Sequence, residues 1–250
     1  MRTTTGSSFR RRAAGGCTAV VAAAVLTACA GNGGSHDEAA VSRASAASGT
    51  PPELADGLLQ ATSFGPEATV VALSLEQLRA GTGLAAIGKG LRVTPEACAT
   101  AVQGTQPDLD AFDDVAGVSA TSGSDVTVEI LLRGGPTEGA VAQLAGAVKR
   151  CPHARVTSPQ LGTTTVDFEN LPVPDLGDGA AALRYTTSIT QPDESSATVP
   201  ALVGLVQDGD RLVVLVNAAV PAAGKSSTVD PSRFADLLKK AYQVQADALG

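Results

Sequence analysis

The chain has 250 residues, of which 44% are hydrophobic and 17% charged, a composition typical of a folded protein with a buried core. A net charge of −7 and only 3% aromatic residues supply neither a basic surface nor stacking platforms, which argues against nucleic acid as a partner. The two His and four Cys are too few for most metal sites and catalytic triads, so we expect no cofactor and no enzymatic activity.

The first 28 residues have the pattern of an export signal. Four arginines come first, and an apolar run over residues 13–28 follows them. A permanent membrane helix is the alternative interpretation, but a bilayer-spanning helix needs about 20 apolar residues and this run is shorter. The sequence therefore predicts a signal peptide over residues 1–28.

The end of this run, Leu26-Thr27-Ala28-Cys29, resembles the bacterial lipobox, in which an aliphatic and two small residues precede a cysteine. The resemblance implies a diacylglycerol on Cys29, which becomes the new N-terminus. Cys17 lacks the aliphatic residue three positions earlier and fits the pattern poorly. We expect the chain to be lipid-anchored on the extracytoplasmic side of the cell membrane, with the membrane as its partner through Cys29.

The charge of the chain after the signal supports a lipid anchor. Residues 29–250 contain 14 basic and 25 acidic residues, a net charge of −11, which anionic headgroups repel. Residues 29–52 are rich in Gly, Ser and Ala and predict a flexible tether, in which His36 would be solvated. No comparable stretch follows Pro51-Pro52, so residues 53–250 are predicted to form one domain.

The elements of this domain follow in chain order from its apolar periodicity and its capping residues. A strand over residues 68–73 precedes a helix that starts at the capping box Ser74-Leu75-Glu76-Gln77. Thr94-Pro95-Glu96 predicts a second helix start. The remaining predicted elements are a hairpin of residues 115–120 with 125–133, a helix over 137–150, strands over 163–168 and 183–189, a hairpin of 199–206 with 211–216, and a last helix from Asp230-Pro231.

Two of these strand patterns differ in their predicted surroundings. Residues 125–133 alternate between apolar and polar side chains, which predicts a half-buried strand with Glu129 on its exposed face. Residues 199–206 and 211–216 are almost continuously aliphatic, which predicts central strands covered on both faces. Consecutive hairpins mixed with helices predict an α+β fold, an antiparallel β-sheet with helices packed on it.

Two cysteines remain after Cys17 is removed with the signal and Cys29 is lipidated. Cys98 and Cys151 should form a disulfide in an oxidising exported setting, closing a loop of 53 residues.

The sequence supports a catalytic site less well than it supports this disulfide. His153 is the single histidine of the predicted domain and follows Cys151-Pro152, a context typical of a surface turn. The carboxylates Asp113, Asp114, Asp167, Glu169, Asp175 and Asp178 show no spacing typical of a metal loop.

Six segments together resemble an actinobacterial, mycobacterial-type lipoprotein family of unknown function. They are Phe64-Gly65-Pro66, Val93-Thr94-Pro95-Glu96-Ala97-Cys98, Cys151-Pro152, Leu171-Pro172-Val173-Pro174, Val199-Pro200-Ala201-Leu202-Val203-Gly204 and Val206-Gln207-Asp208-Gly209-Asp210-Arg211-Leu212. That family is similar to the extracellular sensor domain of PknH-type receptor kinases. The resemblance implies an antiparallel sheet with packed helices and a ligand-binding cleft, although this chain has one disulfide pair where the kinase domain has two.

Three functions are compatible with these observations. The favoured one is a non-catalytic, membrane-anchored lipoprotein whose domain binds a small molecule or an envelope protein at residues that the sequence does not identify. The second is a carrier of lipids or glycolipids in the cell envelope, which requires an apolar cavity of several hundred Å³. An envelope hydrolase is the third, and no Gly-x-Ser-x-Gly motif supports it.

Overall fold

The structure is a computed structural model that describes residues 53–81, 92–99, 107–158, 162–190, 196–219 and 228–250. The predicted signal peptide, the lipidation of Cys29 and the tether that contains His36 lie outside these residues. In the described part of the chain, none of the helices combines the length and the hydropathy that crossing a bilayer requires.

One antiparallel sheet of nine strands organises the described residues. Its strands are β1 (Thr69–Ala72), β2 (Arg92–Thr94), β3 (Asp114–Ser122), β4 (Asp125–Arg133), β5 (His153–Ser158), β6 (Gly162–Leu171), β7 (Gly179–Thr190), β8 (Ser196–Asp208) and β9 (Arg211–Ala219). Their order across the sheet is β1-β3-β4-β9-β8-β7-β6-β5-β2. The two aliphatic strands, β8 and β9, lie at the centre of this order, as predicted.

Helices of very different length pack on the two faces of the sheet. They are α1 (Ala61–Phe64), α2 (Leu75–Gly81), α3 (Ala140–Ala145), α4 (Ala147–Arg150) and α5 (Pro231–Leu249), with 3₁₀ turns at Leu54–Gly57, Glu96–Cys98 and Leu109–Ala111. The predicted α+β class, a sheet with helices packed on it, is confirmed.

The predicted local signals are present at several element boundaries. Ser74 and Gln77 form the reciprocal capping box at the start of α2, with the Gln77 N–H donating to Ser74 Oγ and the Ser74 N–H to Gln77 Oε1. The β8–β9 hairpin pairs Asp208 with Arg211, and Gly209 adopts the positive φ of 59° that this tight turn needs.

The core lies in two layers, one on each face of the sheet. We call the first the α5 face, where the 3₁₀ turn Leu54–Gly57, α1 and α5 cover β3, β4, β8 and β9. Its fully buried side chains include Leu131, Leu202 and Leu238. We call the second the disulfide face, where α2, α3 and α4 pack around Leu132, Leu183 and Cys151. Because both faces are covered at the centre, the middle strands lie inside the protein.

Three sequence predictions need correction. The helix predicted over 137–150 is two helices, α3 and α4, because the backbone departs from helical geometry at Gly146, where ψ is −4°. Thr94 does not cap a helix: it ends β2, and Pro95 precedes a 3₁₀ turn. Strand β4 is buried on both faces, not half-buried, and Glu129 is only 1% exposed.

The predicted disulfide is present between Cys98 and Cys151, whose Cα atoms are 5.2 Å apart. Both cysteines are almost completely buried on the disulfide face. The bond joins the 3₁₀ turn after the edge strand β2 to the residue between α4 and β5, so it fastens one edge of the sheet to a helix packed on it.

Candidate functional site

A small pocket opens on the α5 face where α5 begins. It has a volume of about 100 Å³ and lies between the first turns of α5, the end of α1 and the strands β3, β4 and β9. Its polar lining residues are Ser122, Asp125, Thr127, Asn217, Asp230 and Arg233, and its apolar ones are Phe64, Ala120, Phe234 and Leu237. We call it the Arg233 pocket.

The α5 helix places the charged groups at the mouth of this pocket. Asp230 is the N-cap, and its Oδ1 accepts hydrogen bonds from the N–H groups of Ser232 at 2.9 Å and Arg233 at 3.2 Å. Arg233 lies in the first turn of α5, and its guanidinium donates to the Phe64 carbonyl oxygen at 2.8 Å. This bond joins α5 to α1 and holds the cation in the wall of the pocket.

The strands supply the polar floor of the pocket. Thr127 and Asn217 are directly paired on β4 and β9, so both side chains point to the α5 face. Asn217 Nδ2 donates to Thr127 Oγ1 at 3.0 Å, which orients the amide. Asp125, the first residue of β4, adds a carboxylate on the same face. The lining therefore combines one cation, two carboxylates, an amide and two hydroxyls.

Glu129 lies two residues further along β4 on the same face, beneath the helices. Its Oε2 accepts a hydrogen bond of 2.9 Å from the Leu59 N–H. Burial in this apolar layer raises the pKa of Glu129 to about 7, although the Leu59 hydrogen bond opposes the rise. The sequence prediction missed this group because its alternating pattern assigned it to solvent.

A second buried polar cluster lies near the other end of α5. Gln245 is fully buried, and its Nε2 donates to Asp208 Oδ2 at 2.7 Å. The Arg211 guanidinium donates to the same oxygen at 2.9 Å. These contacts join the last turns of α5 to the β8–β9 hairpin, and they explain how a polar residue occupies a position with core spacing.

The carboxylates and the histidine singled out in the sequence do not assemble into one centre. His153 is exposed, as predicted, but it begins β5 instead of lying in a turn, and its Nδ1 contacts Asp167 Oδ1 at 2.5 Å. The other carboxylates are dispersed: Asp114 pairs with Arg133, Glu169 pairs with Arg184, and Asp178 accepts the Gly209 N–H at 2.7 Å. Within the described ranges, no group of three His, Cys, Asp or Glu residues is placed to hold a metal ion.

Comparisons with known proteins show similarity in structure alone. No family model and no curated protein matches the sequence. An uncharacterised protein of Mycobacterium smegmatis, an Rv0999 ortholog, aligns with a TM-score of 0.52 and 15% identity over 77% of this chain and 96% of that one. The extracellular domain of PknH from Mycobacterium tuberculosis aligns with a TM-score of 0.42 and 9% identity, over 77% of this chain and 92% of that one.

These similarities bear on the resemblance found in the sequence. At 15% identity, the likeness to the Mycobacterium smegmatis protein concerns the fold. It extends over almost the whole of that protein, so the resemblance to a mycobacterial-type domain is confirmed at the level of the fold. The chain thus has the α+β fold of an uncharacterised mycobacterial protein, with a nine-stranded antiparallel sheet at its centre.

Proposed function

We propose that the chain is an exported lipoprotein, anchored on the extracytoplasmic side of the membrane through Cys29, whose domain binds a small polar molecule without catalysing a reaction. The observation that carries the binding proposal is the Arg233 pocket. It combines a guanidinium with the carboxylate of Asp125 and with the amide and hydroxyl of Asn217 and Thr127. Groups of both charges in one small pocket suit a ligand that itself carries both a positive and a negative group.

The size of the pocket favours this ligand class over a lipid or glycolipid. A carrier must enclose acyl chains in an apolar cavity of several hundred Å³, whereas the Arg233 pocket holds about 100 Å³ and has a largely polar floor. A larger groove of about 500 Å³ lies against Glu53, Leu54, Asp114 and Arg133, but it is open to solvent and carries charged walls. Neither site offers an acyl chain a dry lining, so we propose ligand binding and not lipid transport.

The absence of catalysis is proposed on chemical grounds. None of the described lining residues of the Arg233 pocket is a histidine, cysteine or lysine, the side chains that most readily act as a nucleophile or as a base near neutral pH. The exposed pair of His153 and Asp167 lies on β5 and β6, outside the lining of the pocket. A binding role requires none of these groups.

A thermal-shift experiment tests the binding proposal. The full chain in mild detergent is screened against amino acids, amino sugars and sugar acids. A ligand present at a hundredfold excess over its dissociation constant should raise the melting temperature by about 5–10 °C. Arg233→Gln and Asp125→Asn should abolish the shift, whereas Lys239→Gln, an exposed change of the same charge on α5, should retain it.

Two results would overturn the proposal. One is that no compound of the panel stabilises the wild-type protein. The other is a stabilising compound whose effect is the same in wild type, Arg233→Gln and Asp125→Asn, because such a compound binds elsewhere. A hit that is a lipid, found by native mass spectrometry of protein purified from membranes, would favour the carrier function instead.

A further inference from the structure

A second polar surface lies on the α5 face, beyond the strands that α5 covers. The helix packs on β8 and β9, and the sheet continues past it through β7, β6, β5 and β2. Alternate residues of these strands point to the same side. Those that carry charges or hydroxyls are Arg92, Thr94, His153, Arg155, Thr157, Thr163, Thr165, Asp167, Glu169, Arg184, Thr186 and Ser188. We call this area the hydroxyl face.

The hydroxyl face is accessible to solvent and carries no large apolar side chain in these positions. Arg92, Thr94, Arg155, Thr163 and Thr165 are all exposed. The opposite side of the same strands contributes Val93, Ala154 and Phe168 to the core of the disulfide face, alongside the polar residues Thr164, Asn170 and Thr187. The exposed arginine and threonine side chains therefore project from the side of these strands opposite to α3 and α4.

Two arginines at one edge of this surface are without an ion pair in the part of the chain that the structure describes. Arg92 on β2 pairs with Thr157, and Arg155 on β5 pairs with Thr94, so the two arginines are diagonal neighbours across one strand pair. The remaining charges of the surface are matched: Arg184 contacts Glu169 and His153 contacts Asp167. Two adjacent guanidinium groups thus stand together on a chain whose net charge is −7.

Hydroxyl groups surround the two arginines. Thr94 and Thr157 flank them on the same strands, and Thr163 and Thr165 continue the rows onto β6. Thr157 Oγ1 and Thr163 Oγ1 lie 3.1 Å apart, which shows that the side chains project in register from neighbouring strands. Rows on strands about 4.8 Å apart offer donors and acceptors at a repeating spacing across the sheet.

The chemistry of this surface selects one kind of occupant. Protein interfaces bury aromatic side chains at their centre, and membrane-binding surfaces insert apolar side chains into the lipid. The positions of the hydroxyl face supply neither kind of side chain. Guanidinium groups bind carboxylates through paired hydrogen bonds, and threonine hydroxyls complement the hydroxyls of sugars. We propose that the hydroxyl face binds an acidic polysaccharide, with Arg92 and Arg155 holding a carboxylate and the threonines contacting the adjoining sugar hydroxyls.

This surface is separate from the Arg233 pocket, so polysaccharide binding here and small-molecule binding in the pocket can be tested independently. The test uses the full chain in mild detergent and polygalacturonate, a linear polymer of uronic acids, as the probe. Binding is measured by biolayer interferometry. Arg92→Gln with Arg155→Gln should weaken it by about tenfold or more. The matched control is Lys239→Gln with Lys240→Gln, which removes two exposed charges from α5 and should leave binding unchanged.

Further arms separate the polysaccharide from other polyanions. Thr163→Val with Thr165→Val keeps β-branched side chains and removes two hydroxyls, and it should weaken binding by several-fold. Dextran, which is uncharged, should not bind measurably. The proposal is overturned if wild type does not bind polygalacturonate or if the arginine and lysine variants lose binding equally. Equal affinity for polyglutamate, or tighter arginine-dependent binding to phosphatidylglycerol vesicles, would equally reject a polysaccharide-specific surface.

Discussion

Glu129 is a carboxyl group in an environment that disfavours its charged form. It is buried against the apolar layer beneath α5, and its hydrogen bond from the Leu59 N–H holds the segment that precedes α1 on β4. A carboxyl group in such a place is costly when ionised, because the surrounding side chains do not replace the water it has lost. The cost of ionisation is consequently part of the stability of the domain.

The raised pKa of Glu129 predicts how stability varies with pH. Burial raises the pKa of Glu129 from its ordinary value of 4.5 to about 7 in the folded protein, so the folded state binds more protons than the unfolded state between these two pH values. The free energy of unfolding should therefore fall as pH rises from 4.5 to 7, by up to about 3 kcal/mol from this group. Urea titrations of wild type and Glu129→Gln across this range measure the effect.

The informative quantity in that experiment is the slope with pH, not the absolute stability. Glutamine cannot ionise, so the free energy of unfolding of Glu129→Gln should rise relative to that of wild type as pH rises. Any destabilisation by the buried amide is the same at every pH and does not change this slope. Glu138→Gln, a change at an exposed carboxyl group, should follow the wild-type curve. Parallel curves for wild type and Glu129→Gln would contradict the assignment.

Predictability at this scale depended on whether a residue's partner lies nearby in sequence. The cap of α5 could be predicted because Asp230 bonds to Ser232 and Arg233, which follow it directly. Glu129 could not, because the alternation along β4 predicts a polar face without showing that residues 54–59, about 70 positions earlier in the chain, cover it. The Arg233 pocket was missed for the same reason, since its lining comes from β3, β4, β9, α1 and α5.

At the scale of elements, the disulfide fastens the edge of the sheet. Replacing both Cys98 and Cys151 by Ala should lower the free energy of unfolding by about 4 kcal/mol, because the bond closes a loop of 53 residues in the unfolded chain. Urea denaturation of the double variant provides the measurement, and wild type in excess reductant is the control that should match it. An unchanged unfolding midpoint in both samples would rule out a stabilising role.

Strand and helix boundaries were predictable where the local signal was strong. The β8–β9 hairpin has an Asp-Gly turn between aliphatic runs, and both strands form as expected. Strand β5 was missed although His153, Arg155 and Thr157 alternate with apolar residues, because the strand is short and follows a proline. The break between α3 and α4 escaped prediction because the apolar stripe continues across Gly146 while the backbone does not.

For the whole molecule, attachment to the membrane is the proposal that is simplest to test. Mass spectrometry of protein from membranes should find Cys29 as the N-terminal residue, carrying acyl chains. Each CH₂ of a buried chain contributes about 0.8 kcal/mol, so these chains would hold the protein at the membrane. Cys29→Ala should lose the lipid and the cleavage together. Since an uncut signal can itself retain the chain, the mass decides the outcome, and fractionation alone does not.

A different N-terminus, or an N-terminus without acyl mass, would reject both the anchor and the tether. Cys17→Ala serves as the control, since Cys17 lies before the predicted cleavage point and its loss should leave the mature mass unchanged. The sequence predicts the lipid anchor from a short contiguous motif that ends at Cys29. The order of the nine strands, in contrast, depends on pairings between distant segments such as β4 with β9, which local patterns do not specify.

The packing of residues 54–59 determines how the domain responds to a pull on its N-terminal side. Leu54, Leu58 and Leu59 are buried beneath α5, and the Leu59 N–H is bonded to Glu129 in β4, an interior strand of the sheet. A pull on residue 53 therefore does not peel an edge strand open one hydrogen bond at a time. It must extract three leucine side chains from the core and break the hydrogen bond from the Leu59 N–H to Glu129, so the N-terminal segment should resist such a pull through several buried contacts at once.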